Sequence, residues 1–541
     1  MRRLQANALS LAVAFVSLSA AAQSATPQTT TQLPRNVRPT HYDVAVVPHA
    51  QAMDFDGRVA VAIDVLQPTA SITLNAEDLV FSAVTVAAAK GGSTTPASHV
   101  AVDADQQTAT FTFAKPLPVG AYVLTMAYTG RIGTQANGLF ALDYDTPAGH
   151  KRALYTQFEN SDARRFIPSW DEPDYKATFD LQATVPSAQM AVSNMPAAKT
   201  TVLPNGMTQV RFMASPKMST YLLFFALGDF DRATLQSGRT QVGVVTQKGL
   251  VPQARFALES SRDVLREYNE YFGTPYPLPK LDNVAAPGQS QFFGAMENWG
   301  AIFTFEHTLL LDPTIASESD RQRVFEVAAH EMAHQWFGDL VTMRWWDDLW
   351  LNEGFATWMS ARTTTKLHPE WHSELSEVES RQSAMSRDSV ASTHPVVQHV
   401  ETVEQASQAF DAITYSKGAA VIRMLESYVS ADAWRTGVRS YMRKHAYGNT
   451  VSDDFWQSVE KAAGKPITAI AHDFTLQPGV PLIRVESGTC SGGKTTLQLT
   501  QGEFTRDRPD KTPLTWPVPV IAQVPGNPVA RTLVVDHHGT L

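Results

Sequence analysis

Cysteine is almost missing: Cys490 is the one thiol in 541 residues. A single thiol closes no internal disulfide and builds no cysteine-rich metal site, so any zinc must be held by histidine and carboxylate. Basic tracts are missing too, and the formal net charge is −9, which argues against nucleic acid as a partner. Past residue 25 no apolar run reaches the roughly 20 residues that a membrane span needs, so no transmembrane helix is expected once a leader is removed. No repeat at a fixed period is visible. What is there is an ordinary globular composition, 43% apolar and 18% charged, in a chain long enough for about three domains.

Residues 1–25 read MRRLQANALSLAVAFVSLSAAAQSA, with Arg2 and Arg3 ahead of a short apolar core and an alanine-rich end. This pattern predicts a signal peptide, cut after about Ala22 or Ala25, and an exported protein, periplasmic or secreted. A short buried helix or a membrane anchor is the alternative. After a Thr/Gln/Pro-rich leader, Val59, Val61, Ile63 and Val65 alternate with smaller or more polar residues, as do Tyr122, Leu124, Met126 and Tyr128. Period-two patterning predicts a β-sandwich-like domain over 26–235. From about 250 the period becomes helical: ARFALESSRDVLREYNEYFG closes at Gly273, and helices are expected to dominate 236–477. Strand-like PLIRVE, TTLQLT and PVPVIAQV follow in 478–541, read as a short and incomplete β domain with an exposed sheet edge.

The stretch HEMAHQWFGDLVTMRWWDDLWLNEGFA begins at His330. A helix is expected over 320–337, with Ser319 and Gln322 as its capping box and Gly338 as its stop. His330 and His334 then lie one turn apart on one face, where both imidazoles reach one ion, and zinc suits them. Glu331 lies beside them, placed to take a proton from an activated water. Such histidine pairs also occur as hydrogen-bonded core groups. Glu353, on a second helix beginning near Asp347 or Asp348, adds the third ligand if the two helices fold back on each other. His368 and His372 share the spacing of four, but Pro369 intervenes, and that pair is expected to begin a solvated helix. For the ligand histidines' second nitrogens, Asp339, Asp347, Asp348 and Glu306 are all candidate partners.

The same stretch, extended to HEMAHQWFGDLVTMRWWDDLWLNEGFATWM, resembles the zinc-binding core (HExxH-x18-E) of the alanyl (membrane alanyl) aminopeptidase family of gluzincins. GAMENWG at Gly294–Gly300 and TQFENSDARRFIPSWDEPDYKATF at Thr156–Phe179 resemble two further signatures of that family. LPRNVRPTHYDV, KMSTYLLFFALGDF at Lys217–Phe230 and AFDAITYSKGAAV at Ala409–Val421 extend the similarity over about 33–475. The resemblance implies a multidomain α+β fold: a saddle-like N-terminal β-sandwich, a thermolysin-like, mostly helical catalytic domain, and a short C-terminal β domain. It implies one Zn2+ on His330, His334 and Glu353, with Glu331 as general base. Tyr415, by itself an ordinary core aromatic, becomes the donor to the oxyanion. Glu297, by itself a structural or surface carboxylate, binds the free α-amine of a peptide together with Glu159 and Gln157. Gly294 and Ala295 meet the substrate backbone, and Met296 and Asn298 belong to the same substrate-binding segment.

Two departures qualify what is carried over. Phe293 stands before Gly294 where relatives often have a smaller residue, and it either walls the first-residue pocket or packs internally. The sequence reaches Leu541 without the helical C-terminal cap domain that many relatives carry, as a short form or a truncated reading. Two rival functions stand beside this one: an epoxide-hydrolysing relative, for which no lipid-specific feature is legible, and a non-catalytic peptide binder, against which Glu331, Tyr415 and the three ligands argue.

Overall fold

The computed structural model describes residues 32–290, 293–508, 510–524, 526 and 530–541. The expected signal peptide lies outside them.

Strands Val37–His49 and Asp54–Val65 pair antiparallel, with Val44 opposite Val59, at the centre of an eight-stranded sheet. The alternation along Asp54–Val65 puts Val59, Val61, Ile63 and Val65 in the core, as a half-buried strand requires. A second sheet of four strands is ordered Met190–Ser193, Phe225–Gly228, Gly149–Gln157 and Gly138–Thr146. Its strand Gly149–Gln157 is the one that matters for the site. Tyr155 packs edge-on to Phe303 across the domain junction and donates its O–H to the Ala285 carbonyl at 3.1 Å. The end of that strand, carrying Gln157 and then Glu159, is thereby held against the second domain.

The second domain starts with a sheet that period reading did not foresee. Five strands order as Phe230–Ser237, Thr240–Gln247, Lys280–Ala286, Ala301–Phe305 and Ala295–Met296. Phe230–Ser237 runs across the boundary expected at 235, so this sheet begins before it. Lys280–Ala286 and Ala301–Phe305 are buried at every position, which erases the period-two signal. Helices α1 (Arg255–Phe272), α2 (Glu318–His334), α3 (Trp350–Leu367) and α4 (Ser373–Asp388) follow, then α5 (Val403–Gln408) and α6 (Gly418–Val429). Gly273, at φ 62°, ends α1 with its N–H on the Asn269 carbonyl, the left-handed stop that glycine permits. His368 closes α3 and His372 opens α4, each bonded to a nearby glutamate on the surface.

The last strands, Val480–Ser491, Lys494–Phe504 and His538–Thr540, form one small sheet, and Val518–Gln523 pairs with Ala530–Val535. Val480–Ser491 is an edge strand, and Val485, Phe504 and Ile521 are exposed. Among the described residues no helix is long and apolar enough to cross a membrane.

Candidate metal centre and active site

Helix α2 starts two residues earlier than its sequence pattern suggests. Ser317, in extended backbone, caps it: its Oγ accepts from Asp320 N–H, and Asp320 Oδ2 accepts from Ser317 N–H at 2.9 Å. Ser319 and Gln322 make no capping box; Gln322 donates one turn on, to Glu326. The helix also ends at His334 rather than at Phe337. α3 returns antiparallel to α2, since Ser360 donates to the Glu326 carbonyl while Glu353 reaches the two histidines.

His330 Nε2 and His334 Nε2 stand 3.1 Å apart. Glu353 Oε2 is 3.4 Å from the first and 3.5 Å from the second. Three donors bound tetrahedrally to zinc at about 2.0–2.1 Å are separated by about 3.3–3.4 Å. Two imidazole nitrogens and a carboxylate oxygen at these spacings therefore fit one zinc ion. His334 Nδ1 is 3.0 Å from the Phe337 carbonyl, which takes its N–H and leaves the Nε2 lone pair facing the site. Among the described residues, none of Asp339, Asp347, Asp348 and Glu306 bonds to His334. Asp347 accepts from Val400 N–H, Asp348 from Ser452 N–H, and Glu306 from Gln247. Asp339 lies fully buried, and among the described residues neither of its carboxylate oxygens has a hydrogen-bond partner.

Acidic groups crowd this centre. Burial raises the pKa of Glu331 well above the carboxylate range, with Glu297 and Glu353 adding to the rise and His334 opposing it. Glu297 and Glu159 are raised too, first by burial. Burial disfavours the His334 imidazolium, yet Glu297, Glu353 and Glu331 around it outweigh that and hold its pKa well up. Glu297 Oε1 is 4.0 Å from His334 Nδ1, beyond hydrogen bonding. Among the described residues, neither Glu297 Oε1 nor Glu159 Oε1 has a hydrogen-bond partner although both are out of water. Gln157 is less free: its Oε1 accepts from Phe158 N–H at 2.9 Å and its Nε2 donates to the Glu159 carbonyl. Ala295–Met296 pairs with Phe303–Thr304 at the sheet edge, while among the described residues neither amide atom of buried Asn298 has a hydrogen-bond partner. The Gly294 carbonyl accepts from Phe305 N–H at 3.0 Å, which fixes the start of the segment.

Tyr415 sits in a π-helical turn, Ile413–Lys417, leading into α6. Its ring lies 6.1 Å from that of His330 and within 16° of parallel. Burial first, and then the four glutamates, push the phenol well above its ordinary pKa, so it remains a donor. Tyr415, His330, Glu331, Gly294 and Ala295 line one cavity of about 1020 Å³, with Phe293 on its wall. Phe293 also packs on Phe303 and Phe305, at 5.9 and 5.4 Å, so it both walls the cavity and packs internally.

With the geometry in place, comparison with known proteins decides the family. Residues 256–474 match the model described as the peptidase family M1 domain, and residues 38–222 match the peptidase M1 N-terminal domain. The chain belongs to peptidase family M1. It is similar to Aminopeptidase M1-D of Oryza sativa subsp. japonica, 38% identical over 507 residues, 94% of this chain and 57% of that protein. Probable aminopeptidase 2 of Sulfurisphaera tokodaii is 41% identical over 70% of this chain and 47% of its own length. Aminopeptidase 2, mitochondrial, of Saccharomyces cerevisiae is 36% identical over 90% of this chain and 51% of its own. The chain thus spans about half the length of the curated relatives it matches.

Within this M1 site, two features escaped sequence reasoning. Gln335, next to His334 and fully buried, donates Nε2 to the Glu297 carbonyl at 2.8 Å and accepts Gly300 N–H on Oε1 at 3.2 Å. One amide thus bolts the Gly294–Gly300 segment to the helix that carries both histidines. The second is a glycine pair. A Cβ on Gly354 would stand 3.1 Å from Gly418 Cα and from the Thr414 carbonyl oxygen. The residue after Glu353 therefore lies against the backbone that carries Tyr415, and a Cβ there needs that backbone to give by a few tenths of an ångström. Gly354→Ala is expected to force these backbones apart at about 1–3 kcal/mol, read as a lower melting temperature than the parent. An unchanged melting temperature would show that the contact yields freely.

Proposed function

We propose that this protein is a zinc-dependent aminopeptidase that hydrolyses the first peptide bond of peptides with a free α-amine. The observation that carries this reading is the charge of the pocket. Glu159, Glu297, Glu331 and Glu353 interact electrostatically with one another and with His334 in a buried site. Buried carboxylates need cationic partners. One divalent ion at His330, His334 and Glu353, plus one substrate ammonium at Glu297 and Glu159, supplies them.

A zinc ion, when bound, supplies Lewis acidity toward the scissile carbonyl and lowers the pKa of a water. Glu331 takes a proton from the attacking water and returns one to the leaving amine. Tyr415 directs its O–H at the oxygen on which charge develops, so its hydrogen bond strengthens in the transition state. Glu297 Oε1 and Glu159 Oε1 accept from the ammonium. Gln157 Oε1 already accepts one backbone N–H, and its second lone pair is the one that can serve the amine. Gly294 and Ala295 meet the substrate backbone, Met296 holds the segment in the core, and Asn298 has an unused amide to offer. The chain end is fixed by its charge, so attack falls after one residue.

An unblocked alanyl- or leucyl-arylamide, its N-acetylated twin, and the unblocked compound with chelator test the reading. Turnover of the first alone is expected, returning on addition of zinc after chelation. Cleavage of the acetylated twin at a similar rate would overturn the exopeptidase assignment.

A further inference from the structure

The π-turn that carries Tyr415 is gripped at both ends by ion pairs that make no contact with the metal ligands. At its start, Asp411 Oδ1 accepts from Ile413 N–H at 2.9 Å and Thr414 N–H at 3.2 Å. The other oxygen of Asp411 meets His394 Nε2 at 2.9 Å, and His394 Nδ1 lies 2.8 Å from the Pro395 carbonyl. Two acceptors on one imidazole suit its doubly protonated form. The Asp411 carbonyl takes Tyr415 N–H itself, at 3.1 Å. At its end, Lys417 Nζ pairs with Asp388 Oδ2 at 2.7 Å, with side chains 9% and 3% exposed. Asp388 Oδ1 accepts from Thr393 Oγ1 at 2.7 Å and from Gly479 N–H at 2.8 Å. Lys417 also points at the Gln477 carbonyl. The second pair thus ties the turn to the last residue of α4 and to the segment that opens the C-terminal strands.

A π-turn is a strained, locally defined departure from the α-helix and is often found at functional sites. Tyr415 N–H makes an ordinary i→i−4 bond to the Asp411 carbonyl, so the direction of its side chain depends on how the rest of the turn is held. Separating the buried Lys417–Asp388 pair would strand a charge, which makes it a constraint on geometry more than a source of stability, whereas His394–Asp411, with side chains 23% and 22% exposed, holds the turn through the hydrogen bonds of Asp411. We propose that Asp411–His394 and Lys417–Asp388 act as a two-ended clamp that holds the phenol of Tyr415 on the reacting oxygen. These four are positioning residues. The inference rests on the reading of Tyr415 given under Proposed function. It adds that the C-terminal strand module acts on the chemistry, through Gly479 and Asp388.

The test compares Lys417→Met and Asp411→Asn in the full chain, each alone and combined with Tyr415→Phe, on the unblocked arylamide. Each single change is expected to lower kcat by up to about 100-fold, the loss typical of an ångström-scale misplacement, with KM unchanged. In the Tyr415→Phe background each is expected to cost nothing further, since the group it positions is gone. Equal losses in both backgrounds, or parental kcat in the single variants, would overturn the clamp. A second readout needs no turnover. With 3-fluorotyrosine at position 415, the 19F resonance is expected to move or broaden in Lys417→Met and to return in Lys417→Arg. A resonance unmoved in both Lys417→Met and Asp411→Asn also overturns the clamp. A parent that fails on the free-amine substrate strikes the aminopeptidase reading instead, and the fluorine spectra still decide the clamp.

Discussion

Glu331→Gln is expected to leave zinc in place and lower kcat by roughly 10⁴-fold, the upper end for a positioned proton-transfer group. Glu331 is 7% exposed and stands outside the His330–His334–Glu353 cluster, although its carboxylate, with Glu297 and His334, forms a second group close enough to hold an ion. Burial and the charges of Glu297 and Glu353 favour a proton on this group, against the pull of His334, so it is poised as an acceptor rather than an inert anion. The amide keeps the shape of the side chain and one acceptor oxygen but accepts no proton at neutral pH. Metal content by atomic absorption, read beside kcat, separates the base from a ligand. Loss of zinc would make Glu331 a ligand. Full zinc content with less than about tenfold loss would remove it from proton transfer altogether, since such transfer contributes at least about 10².

The chemistry was legible in the sequence where it depends on local spacing. His330 and His334 share a helical face because of the 3.6-residue period, and Glu353 needed only a short return of the chain. The strands around Val59 and Leu124 were legible because one face is wet. By contrast, KLDNVAA and AIFTF are buried on both faces, so their side chains carry no alternation, and the sheet that presents Ala295 and Met296 was invisible. The cap of α2 was misplaced because Ser317 and Ser319 both precede an acceptor at the capping-box distance, and only backbone geometry chooses between them. The partner of His334 is a main-chain carbonyl, which any residue at 337 could supply. Gln335 and the Gly354–Gly418 contact act between segments distant in sequence, and a single chain shows no pattern for such meetings. The clamp on Tyr415 is hidden for the same reason: His394, Asp388 and Lys417 are ordinary polar residues until the fold brings them to the ends of one turn.

Glu297→Gln is expected to cost roughly 10³-fold in kcat/KM on free-amine substrates, within the range for removing one member of a buried charge pair. The backbone around Glu297 gives the change little reason to spread, because Gln335 holds its carbonyl at 2.8 Å and the Ala295–Met296 strand is paired on one side. What changes is the charge at Oε1, an atom with no hydrogen-bond partner among the described residues and only His334 Nδ1, 4.0 Å away, to balance it. Two outcomes are distinguishable. If Glu297 fixes the ammonium, the loss is confined to substrates bearing one, and the N-acetylated twin, already poor, does not fall further. If Glu297 acts instead through the charge it places near His334, zinc affinity falls with it and both substrates suffer in proportion. Gln157 offers the contrast, since its carbonyl oxygen already accepts from Phe158. Glu159, with a bare buried oxygen of its own, is then the group that sustains the residual amine preference, and the double variant Glu159→Gln/Glu297→Gln is expected to erase discrimination between free and blocked amines.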